Sequence, residues 1–448
     1  MKRASIALLL LVSGCMVGPD YEEPNIALTT RFVGGDASIV GPVGKKEWWR
    51  DYRDPYLSEL VDRGLEQNLD VAAALEVIRE AEANVRTTGL AAAVDGGADL
   101  SFIRSGGGET RPVNTRTADL SGSFIVDLFG GIRRGRQSAE ASLGAAQADL
   151  ETTRLAWLAE IIAAYSDARF YQEALALTRL TISDRVETVK ITREQYAAGA
   201  TTEYDVAEAE ALLAQARAQI PEYEALFNAN VFAIATLMNE SAAPILAKMR
   251  RGSPMLKTPG GGNSGLPAEL LHNRPDVRSA ERTFAAAVYS VGVAEADLYP
   301  ALTLDGSLTF EGGTNTWSFG PSLTIPVLNQ PALRATRDAA ASEARQAEIA
   351  WRQVVMDAVE DVQVAQSNLQ QYRRRTDALR MTVRSYERAL SLARNNYAAG
   401  AITLIDLLDT DRSTATARIS AASAANSAAQ EWATLQIAVG AGAAVVAP

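Results

Sequence analysis

Two pairs of short segments alternate apolar and polar residues with a period of two, which is typical of β-strands with one apolar face. In the second half of the chain they are 302–310 and 317–325, joined by a Gly-Gly-Thr-Asn turn at 312–315. In the first half, 98–102 and 120–126 follow the same pattern more weakly. The pattern predicts one β-hairpin in each half. Its apolar positions are Ala98, Leu100, Phe102, Leu120, Gly122, Phe124, Val126, Leu302, Leu304, Gly306, Leu308, Phe310, Trp317, Phe319, Leu323 and Ile325.

Each predicted hairpin is followed by a long stretch that favours helix. Residues 145–198 and 332–399 contain neither glycine nor proline. A helix of about 68 residues is roughly 100 Å long, because the α-helix rises 1.5 Å per residue. We therefore expect two elongated helical hairpins rather than one compact core.

The apolar residues of these stretches recur alternately four and three apart. In the second half the series runs from Trp351 to Tyr397, and the corresponding series in the first half runs from Leu150 to Tyr196. A period of 3.5 residues predicts left-handed coiled-coil packing against neighbouring helices. The first series is interrupted at Arg154 and Arg185.

An internal repeat relates the two halves. The segment Tyr196-Ala197-Ala198-Gly199-Ala200, followed by Asp205, returns 201 residues later as Tyr397-Ala398-Ala399-Gly400-Ala401, followed by Asp406. A repeat of this size indicates two copies of one structural unit. We predict the order helix, β-hairpin, long helix, tip and returning helix for each copy. Gly199 and Gly400 are expected to end the long helices, because glycine adopts positive φ readily.

These signals divide the chain into six predicted segments. They are a lipoprotein signal peptide at 1–14, a lipidated extended segment at 15–55, a first repeat at 56–240, a linker at 241–273, a second repeat at 274–440 and a tail at 441–448. The predicted fold class is mainly α with a small β part.

The N-terminus predicts export and lipidation. Lys2 and Arg3 precede a short apolar run, Ile6 to Val12, and a small-residue segment then ends at Cys15. The run is far shorter than the ~20 residues of a membrane span, so a secretory signal is the better interpretation. Because Cys15 is the only cysteine and occupies a lipobox position, we expect it to be acylated as the mature N-terminus.

Composition disfavours an enzyme and a nucleic-acid-binding protein. The net charge of −11 has the wrong sign for binding phosphates. His272 is the sole histidine and Cys15 the sole cysteine, so a Cys/His catalytic pair or metal cluster is not expected. No cofactor is predicted, since Gly260-Gly261-Gly262 lacks the Lys-Ser/Thr of a phosphate loop. A glycosidase-type carboxylate pair stays open among the 54 acidic residues.

Four strands with one apolar face cannot stand alone in a membrane. Every backbone donor and acceptor must be paired in lipid, so the sheet has to close. Known bacterial barrels start at about eight strands, and four strands per chain reach that number only when several chains contribute. Three chains would give twelve strands. A soluble β-patch packed on the helices is the alternative.

Several short motifs, taken in order, resemble a known family. They are Val17-Gly18-Pro19-Asp20-Tyr21, Trp48-Trp49, Asp127-Leu128-Phe129-Gly130-Gly131, Arg274-Pro275-Asp276 and the two Tyr-x-x-Gly tips. The chain resembles the TolC-like outer-membrane efflux proteins, in the lipoprotein branch with OprM-like and NodT-like members. The resemblance implies a homotrimer in contact with outer-membrane lipid, with a twelve-stranded β-barrel continued by a periplasmic α-helical barrel. It also implies a periplasmic adaptor (membrane fusion protein) and an inner-membrane pump of the RND type as partners, and no nucleic acid.

The resemblance also assigns roles to residues at the two tips. It places Asp406 and Asp409, with Ile402, at a periplasmic gate. Carboxylates three residues apart share one helix face, and three chains would give a ring of six charges that attracts cations. Leu404 is a further candidate for an apolar constriction. The tips themselves, at Tyr196, Gly199, Tyr397 and Gly400, are implied to contact the adaptor.

Two alternatives to an efflux duct stay open. The outer-membrane outlet of a type I protein secretion system would have nearly the same sequence pattern. A periplasmic coiled-coil scaffold would also have long hairpins, although it would not need an amphipathic strand pair in each copy. The sequence does not indicate which substrate passes.

Overall fold

A computed structural model describes residues 16–23, 47–108, 111–260 and 274–443. The predicted signal peptide, the lipidation site Cys15 and His272 lie outside the described residues. The described chain divides into two compact units. We call them the sheet unit, within Met1–Ala27, Ala74–Leu150 and Asp276–Met356, and the helical unit, within Leu28–Ala73, Glu151–Pro275 and Asp357–Pro448.

The element order follows the predicted repeat. In chain order the elements are a short 3₁₀ helix Trp48–Tyr52, α1 Pro55–Gln67, α2 Leu69–Arg86, α3 Leu90–Ala93, β1 Val94–Ser105, β2 Val113–Val126, α4 Gly131–Ala197, α5 Glu203–Leu237, α6 Ala242–Met249, α7 Pro275–Ala296, β3 Ala301–Glu311, β4 Thr314–Thr324, α8 Gln330–Ala398 and α9 Leu404–Ala438. The long helices α4 and α8 have 67 and 69 residues, and the returning helices α5 and α9 have 35 each. The predicted order of helix, hairpin, long helix, tip and returning helix is confirmed in both halves.

Two boundaries differ from the prediction. Helix α4 begins at Gly131 and includes Gly135 and Gly144, although the glycine-free stretch begins only at residue 145. A Cβ atom on Gly144 would lie 3.3 Å from the Arg282 side chain of α7, so the missing side chain permits close helix packing. Helix α6 lies inside the predicted linker, where no helix was expected.

The four strands form one antiparallel sheet in the order β1-β2-β3-β4. Leu120 of β2 lies opposite both Ala98 and Leu308, so the register puts the predicted apolar positions of both hairpins on one face. The second hairpin turns at Gly312-Gly313 alone, because Thr314 already pairs with Glu311. The predicted four-residue turn at 312–315 was therefore two residues too long.

The start of the described chain is fixed to the sheet unit by one buried arginine. The Arg134 side chain, 1% exposed, donates hydrogen bonds to the carbonyls of Val17 and Gly18 at 3.2 Å and to the Asp20 carboxylate at 2.8 Å. The Val17 amide donates to the Phe129 carbonyl at 3.0 Å. This packing explains why a Val-Gly-Pro-Asp segment follows the lipobox.

Aromatic residues build the core of the helical unit. The Trp48 indole donates to the Ala441 carbonyl at 2.9 Å, and the Tyr52 hydroxyl donates to the Ala429 carbonyl at 2.6 Å. Both rings pack edge-on against Trp432, with centroids 5.5 and 5.0 Å away. The Trp48-Trp49 motif is therefore a core element, in which the Trp48 indole has a hydrogen-bond partner and the buried Trp49 Nε1 has none within the described residues.

The predicted 3.5-residue series is mostly buried in both long helices. In α8 every residue of the series from Trp351 to Leu369 is at most 6% exposed, and Leu390 and Tyr397 are also buried. In α4 two residues of the series differ from the rest. Arg185 is charged and yet only 7% exposed, and Tyr196 is 47% exposed. Among the residues that the structure describes, no helix combines the length and apolarity needed to cross a membrane.

Candidate functional site

Both tips end their long helices with the same backbone motif. At the first tip, Gly199 N–H donates to the Tyr196 carbonyl at 2.9 Å, and Ala200 N–H donates to the Gln195 carbonyl at 2.8 Å. These are the two bonds of a Schellman motif. Gly199 has φ of 72°, in the left-handed region that favours glycine.

The second tip repeats this geometry 201 residues later. Gly400 donates to Tyr397 at 2.9 Å, Ala401 donates to Asn396 at 2.8 Å, and φ of Gly400 is 74°. A Cβ atom on either glycine would meet nothing within 4 Å. Glycine is therefore required at both tips by backbone conformation and not by crowding.

The returning helices both begin with a capping box. The Thr403 hydroxyl accepts from the Asp406 amide at 3.3 Å, and the Asp406 carboxylate accepts from the Thr403 amide at 3.1 Å. Thr202 and Asp205 form the same reciprocal pair in the first hairpin. Each pair satisfies two helix-terminal donors. The predicted gate residue Asp406 thus has a structural role that the sequence analysis missed.

Hydrogen bonds from the hydroxyl and the amide of Thr403 hold the Asp406 carboxylate in its charged form. They lower the pKa of Asp406 below its usual value, and bonds from Thr201 and Thr202 lower the pKa of Asp205 in the same way. Asp406 is consequently an anion at neutral pH. Its carboxylate is exposed to solvent.

The other predicted gate residues differ in their surroundings. Asp409 is 68% exposed at its side chain and accepts a hydrogen bond from Arg412 at 3.1 Å. Ile402 is half-buried against the apolar cluster of the tip. Leu404 is 4% exposed within that cluster, so the expectation that it forms part of a constriction is wrong: its side chain packs inside the hairpins.

The two tip tyrosines differ sharply. Tyr397 is 4% exposed, and its hydroxyl lies 3.1 Å from the Thr192 hydroxyl. Thr192 donates its own proton to the Thr188 carbonyl at 2.9 Å, so the Tyr397 hydroxyl is the donor to Thr192. Tyr196 is 47% exposed.

A buried ion pair connects the two hairpins near the tips. The Arg185 guanidinium donates to the Asp411 carboxylate at 2.7 Å and to the Leu212 carbonyl at 2.7 Å, and both charged side chains are at least nine-tenths buried. Burial raises the pKa of Asp411, and the Arg185 charge opposes that rise. The sequence signal for this pair was the arginine that interrupts the apolar series.

Further charges extend the pair into a network. Asp184 lies 2.9 Å from Arg394 and 3.1 Å from Arg418, and Arg418 also contacts Glu387 at 3.2 Å. Helices α4, α8 and α9 each contribute residues to it. The network fixes the register of these three helices close to the second tip.

Comparison with known proteins decides the family. The family model described as "Outer membrane efflux protein" matches residues 60–240 and 266–441. The chain belongs to the outer membrane efflux protein family. Nodulation protein T of Rhizobium leguminosarum bv. trifolii is 38% identical over 447 residues, which is 97% of this chain and 96% of the relative. The pyoverdine export outer membrane protein OpmQ of Pseudomonas aeruginosa is 30% identical over 438 residues, which is 92% and 91% of the two chains.

Solved structures of this family have the same fold. The outer-membrane channel OprN matches with a TM-score of 0.85 and 29% identity, over 96% of this chain and all of that chain (100%). The open state of the MtrE outer membrane channel of Neisseria gonorrhoeae matches with a TM-score of 0.78 and 27% identity, over 96% and 98%. This outer membrane efflux protein is accordingly an outer-membrane efflux channel that extends into the periplasm. The predicted family and the mainly helical fold with a small sheet are confirmed.

Proposed function

We propose that three copies of this protein form the exit duct of a tripartite efflux system. Their sheets would close into a twelve-stranded outer-membrane barrel, and their long helices would continue it as a periplasmic α-helical barrel. Small molecules would enter from an inner-membrane pump of the RND type through a periplasmic adaptor. Cys15, at the start of the proposed segment 15–55, would carry the lipid anchor.

The open sheet is the observation that carries this proposal. Within the described chain, β1 and β4 each pair with a single strand, so the sheet has two free edges. One face is mainly apolar and the other mainly polar, with Arg104, Asn114 and Arg116 on the apolar face at the turn end of the first hairpin. Unpaired edge groups are costly in lipid, and closure with further copies removes them. The relatives are channel proteins of the outer membrane, which agrees with closure of this kind.

Asp406, Asp409 and Ile402 form the proposed periplasmic gate. Exposed anions repeated in three chains around an axis would repel one another and attract cations. The lowered pKa of Asp406 supports a charged Asp406 carboxylate in each chain at neutral pH. Ile402, half-buried beside them, would supply the apolar part of the constriction.

The tips at Tyr196, Gly199, Tyr397 and Gly400 are the proposed adaptor contacts. Each tip is held rigid by a Schellman motif and a capping box within a few residues. A preformed surface binds a partner with less loss of conformational entropy than a flexible loop does. Tyr196 also leaves much of an aromatic ring free for such a contact.

Electron microscopy of the detergent-extracted, acylated protein tests the duct. We expect a threefold hollow cylinder well over 100 Å long, as helices of 67 and 69 residues require. A compact monomer or a solid rod would instead favour the periplasmic scaffold.

Charge-neutralising variants test the gate. Asp406→Asn with Asp409→Asn keeps a side-chain acceptor for the Thr403 amide but removes two charges per chain. We expect higher conductance and weaker block by divalent cations in planar bilayers, because the ring of charges is lost. Asp205→Asn is the matched control, since Asp205 has the same capping role in the first hairpin. Conductance and block that stay at the wild-type level in the double variant would refute the gate.

A further inference from the structure

The register sorts the charges of the sheet by face. We call the even-numbered positions of β1, β2 and β3, with the odd-numbered positions of β4, the apolar face. In the four strands, this face contains Arg104 and Arg116 and no acidic residue. The opposite face contains no basic residue, and its acidic residues are Asp95, Asp99, Asp119, Asp305 and Glu311. The register therefore puts the basic and the acidic residues of the strands on opposite faces.

Both arginines lie at the turn end of the first hairpin. Arg116 pairs with Phe102 and Arg104 pairs with Asn114, and these are the last two cross-strand pairs of the apolar face. The apolar rows before them extend from Leu302 to Phe310 in β3, which is roughly 26 Å of strand at 3.3 Å per residue. At the strand tilt of about 40° that is usual in outer-membrane barrels, this length corresponds to an apolar band roughly 20 Å tall, somewhat less than the typical band of about 25 Å. The arginines therefore mark one border of the band, at the end distant from helices α3 and α4.

A groove of about 890 Å³ lies beside this border. Its apolar lining includes Leu100, Phe102, Ala118 and Phe310, and its charged lining residues are Arg116 and Glu311. Arg104 lies outside the lining, one cross-strand pair of the same face closer to the hairpin turn. The Arg116 guanidinium carbon is 5.7 Å from the centre of the Phe102 ring, a cation–π distance that keeps the charge next to the groove. Leu100 is 84% and Phe102 is 61% exposed in the single chain, and both lie on the apolar face of the edge strand β1.

We propose that this groove binds a phosphorylated, multiply acylated glycolipid of the outer leaflet, with an acyl chain along Leu100, Phe102 and Phe310. Its phosphate groups would contact Arg116 and Arg104. The inference rests on the proposed barrel, in which the apolar face meets lipid and the hairpin turns face the cell exterior. Guanidinium groups bind phosphate through paired hydrogen bonds, and acyl chains match the apolar lining, so both halves of the site fit one molecule.

The other border of the band has different chemistry. There the apolar face ends at Val126, Leu302 and Leu323, and within the strands it contains no arginine or lysine. Within the strands, the basic residues of this face thus lie only at the border that would face the outer leaflet. This asymmetry selects a lipid of that leaflet rather than phospholipid in general.

Lipid titration of the purified full-length trimer tests the proposal. The probes are purified lipopolysaccharide, phosphatidylglycerol and inorganic phosphate. The variants are Arg104→Gln with Arg116→Gln, Arg104→Lys with Arg116→Lys as the charge-preserving control, and Phe102→Ala with Phe310→Ala. Loss of two basic contacts to an anionic lipid predicts roughly thirty-fold weaker lipopolysaccharide binding in the glutamine variant. The lysine variant should bind within a few-fold of wild type, and the phenylalanine variant should also lose affinity.

Three results would overturn the proposal. A glutamine variant that binds lipopolysaccharide as tightly as wild type would show that the two arginines do not contact the phosphate groups. If phosphatidylglycerol bound as tightly as lipopolysaccharide, the site would not select a glycolipid. If inorganic phosphate bound as tightly, the groove would not bind an acyl chain. Planar-bilayer conductance, measured for every variant, distinguishes failure of the lipid site from failure of the proposed duct. A wild-type protein without trimers or conductance refutes the duct, whereas unchanged lipid binding in a conducting glutamine variant refutes only the lipid site.

Discussion

The two helical tips have the same backbone and different surfaces. Both use a glycine with φ near 70° and a Thr-Asp capping box, 201 residues apart. Yet Tyr196 is 47% exposed at the first tip, whereas Tyr397 at the second is 4% exposed and bonded to Thr192. The two copies of the repeat share the residues that end and start their helices, but they differ in which side chains the tips expose.

A second contrast lies deeper in the hairpins. Arg185 corresponds through the repeat to Tyr386, and Asp411 corresponds to Glu210. Arg185 and Asp411 form the buried ion pair. Their counterparts do not, because Tyr386 is 38% exposed and Glu210 pairs with Arg193 at the surface. One charge comes from each half, so this contact exists only once per chain and breaks the symmetry of the repeat.

The largest expected effect comes from removing one member of the buried pair. Asp411→Ala leaves the buried Arg185 charge without its carboxylate and should cost about 3–5 kcal/mol in the free energy of unfolding. Glu210→Ala is the matched control, and because the Arg193–Glu210 pair is solvent-exposed we expect at most about 1 kcal/mol. Thermal and denaturant unfolding of the helical signal would measure both.

A double replacement sharpens this test. Arg185→Met with Asp411→Leu removes both charges and should recover most of the stability that Asp411→Ala loses, because an apolar pair carries no desolvation cost. A double variant as unstable as Asp411→Ala would show that the pair does more than satisfy its own burial.

A smaller effect is expected from the tip tyrosines. Tyr397→Phe removes the hydrogen bond to Thr192 and should destabilise the protein by about 0.5–1.5 kcal/mol. Tyr196→Phe should leave stability unchanged, because its ring is half exposed. Efflux assays should give the reverse order if exposure matters for adaptor contact, with Tyr196→Ala more harmful than Tyr397→Phe. Equal stability losses for the two phenylalanine variants would contradict the contrast between the tips.

The smallest expected effect concerns pH, and here the tips should behave alike. The pKa of Asp205 and of Asp406 is lowered from 3.8 in the folded protein by threonine hydrogen bonds. A lowered pKa contributes stability above the unfolded value, and that contribution is lost as pH falls through the folded value. Melting temperatures of Asp205→Asn and Asp406→Asn should therefore differ from wild type by a constant amount between pH 7 and about pH 5. The differences should shrink below pH 3.8, and a change already near pH 6 would contradict the assignment.

Periodic features were predictable from the sequence because they depend on neighbours a few residues away. The strand faces, the long helices and the glycine tips are of this kind. Helix α6 was missed because the whole segment 241–273 was interpreted as a linker, although its one helical proline, Pro244, lies in the first turn, where proline is tolerated. Helix α4 begins earlier than predicted because its glycines pack against α7, a contact that no local pattern reveals.

The site was less predictable because its key contacts are distant in sequence. Asp411 is 226 residues from Arg185, and the heptad pattern counted that arginine only as an interruption. Likewise, Asp406 and Asp409 could be recognised as acids on one helix face, but the capping bond of Asp406 depends on the backbone of the tip. The pairing of β2 with β3 joins the two halves and has no signal in either hairpin alone.

Arg134, which fixes residues 17–20, would constrain when the proposed lipid anchor is added. Gly18 packs so closely on Gly292 that a Cβ atom on Gly18 would lie 2.4 Å from the Gly292 Cα. Arg134 donates hydrogen bonds to the carbonyls of Val17 and Gly18. A protease or acyltransferase acting at the proposed anchor, Cys15, needs an extended and accessible substrate on both sides of that residue. Processing at the proposed anchor would therefore have to precede the packing of residues 17–20, and a chain that folded first would remain an uncleaved precursor.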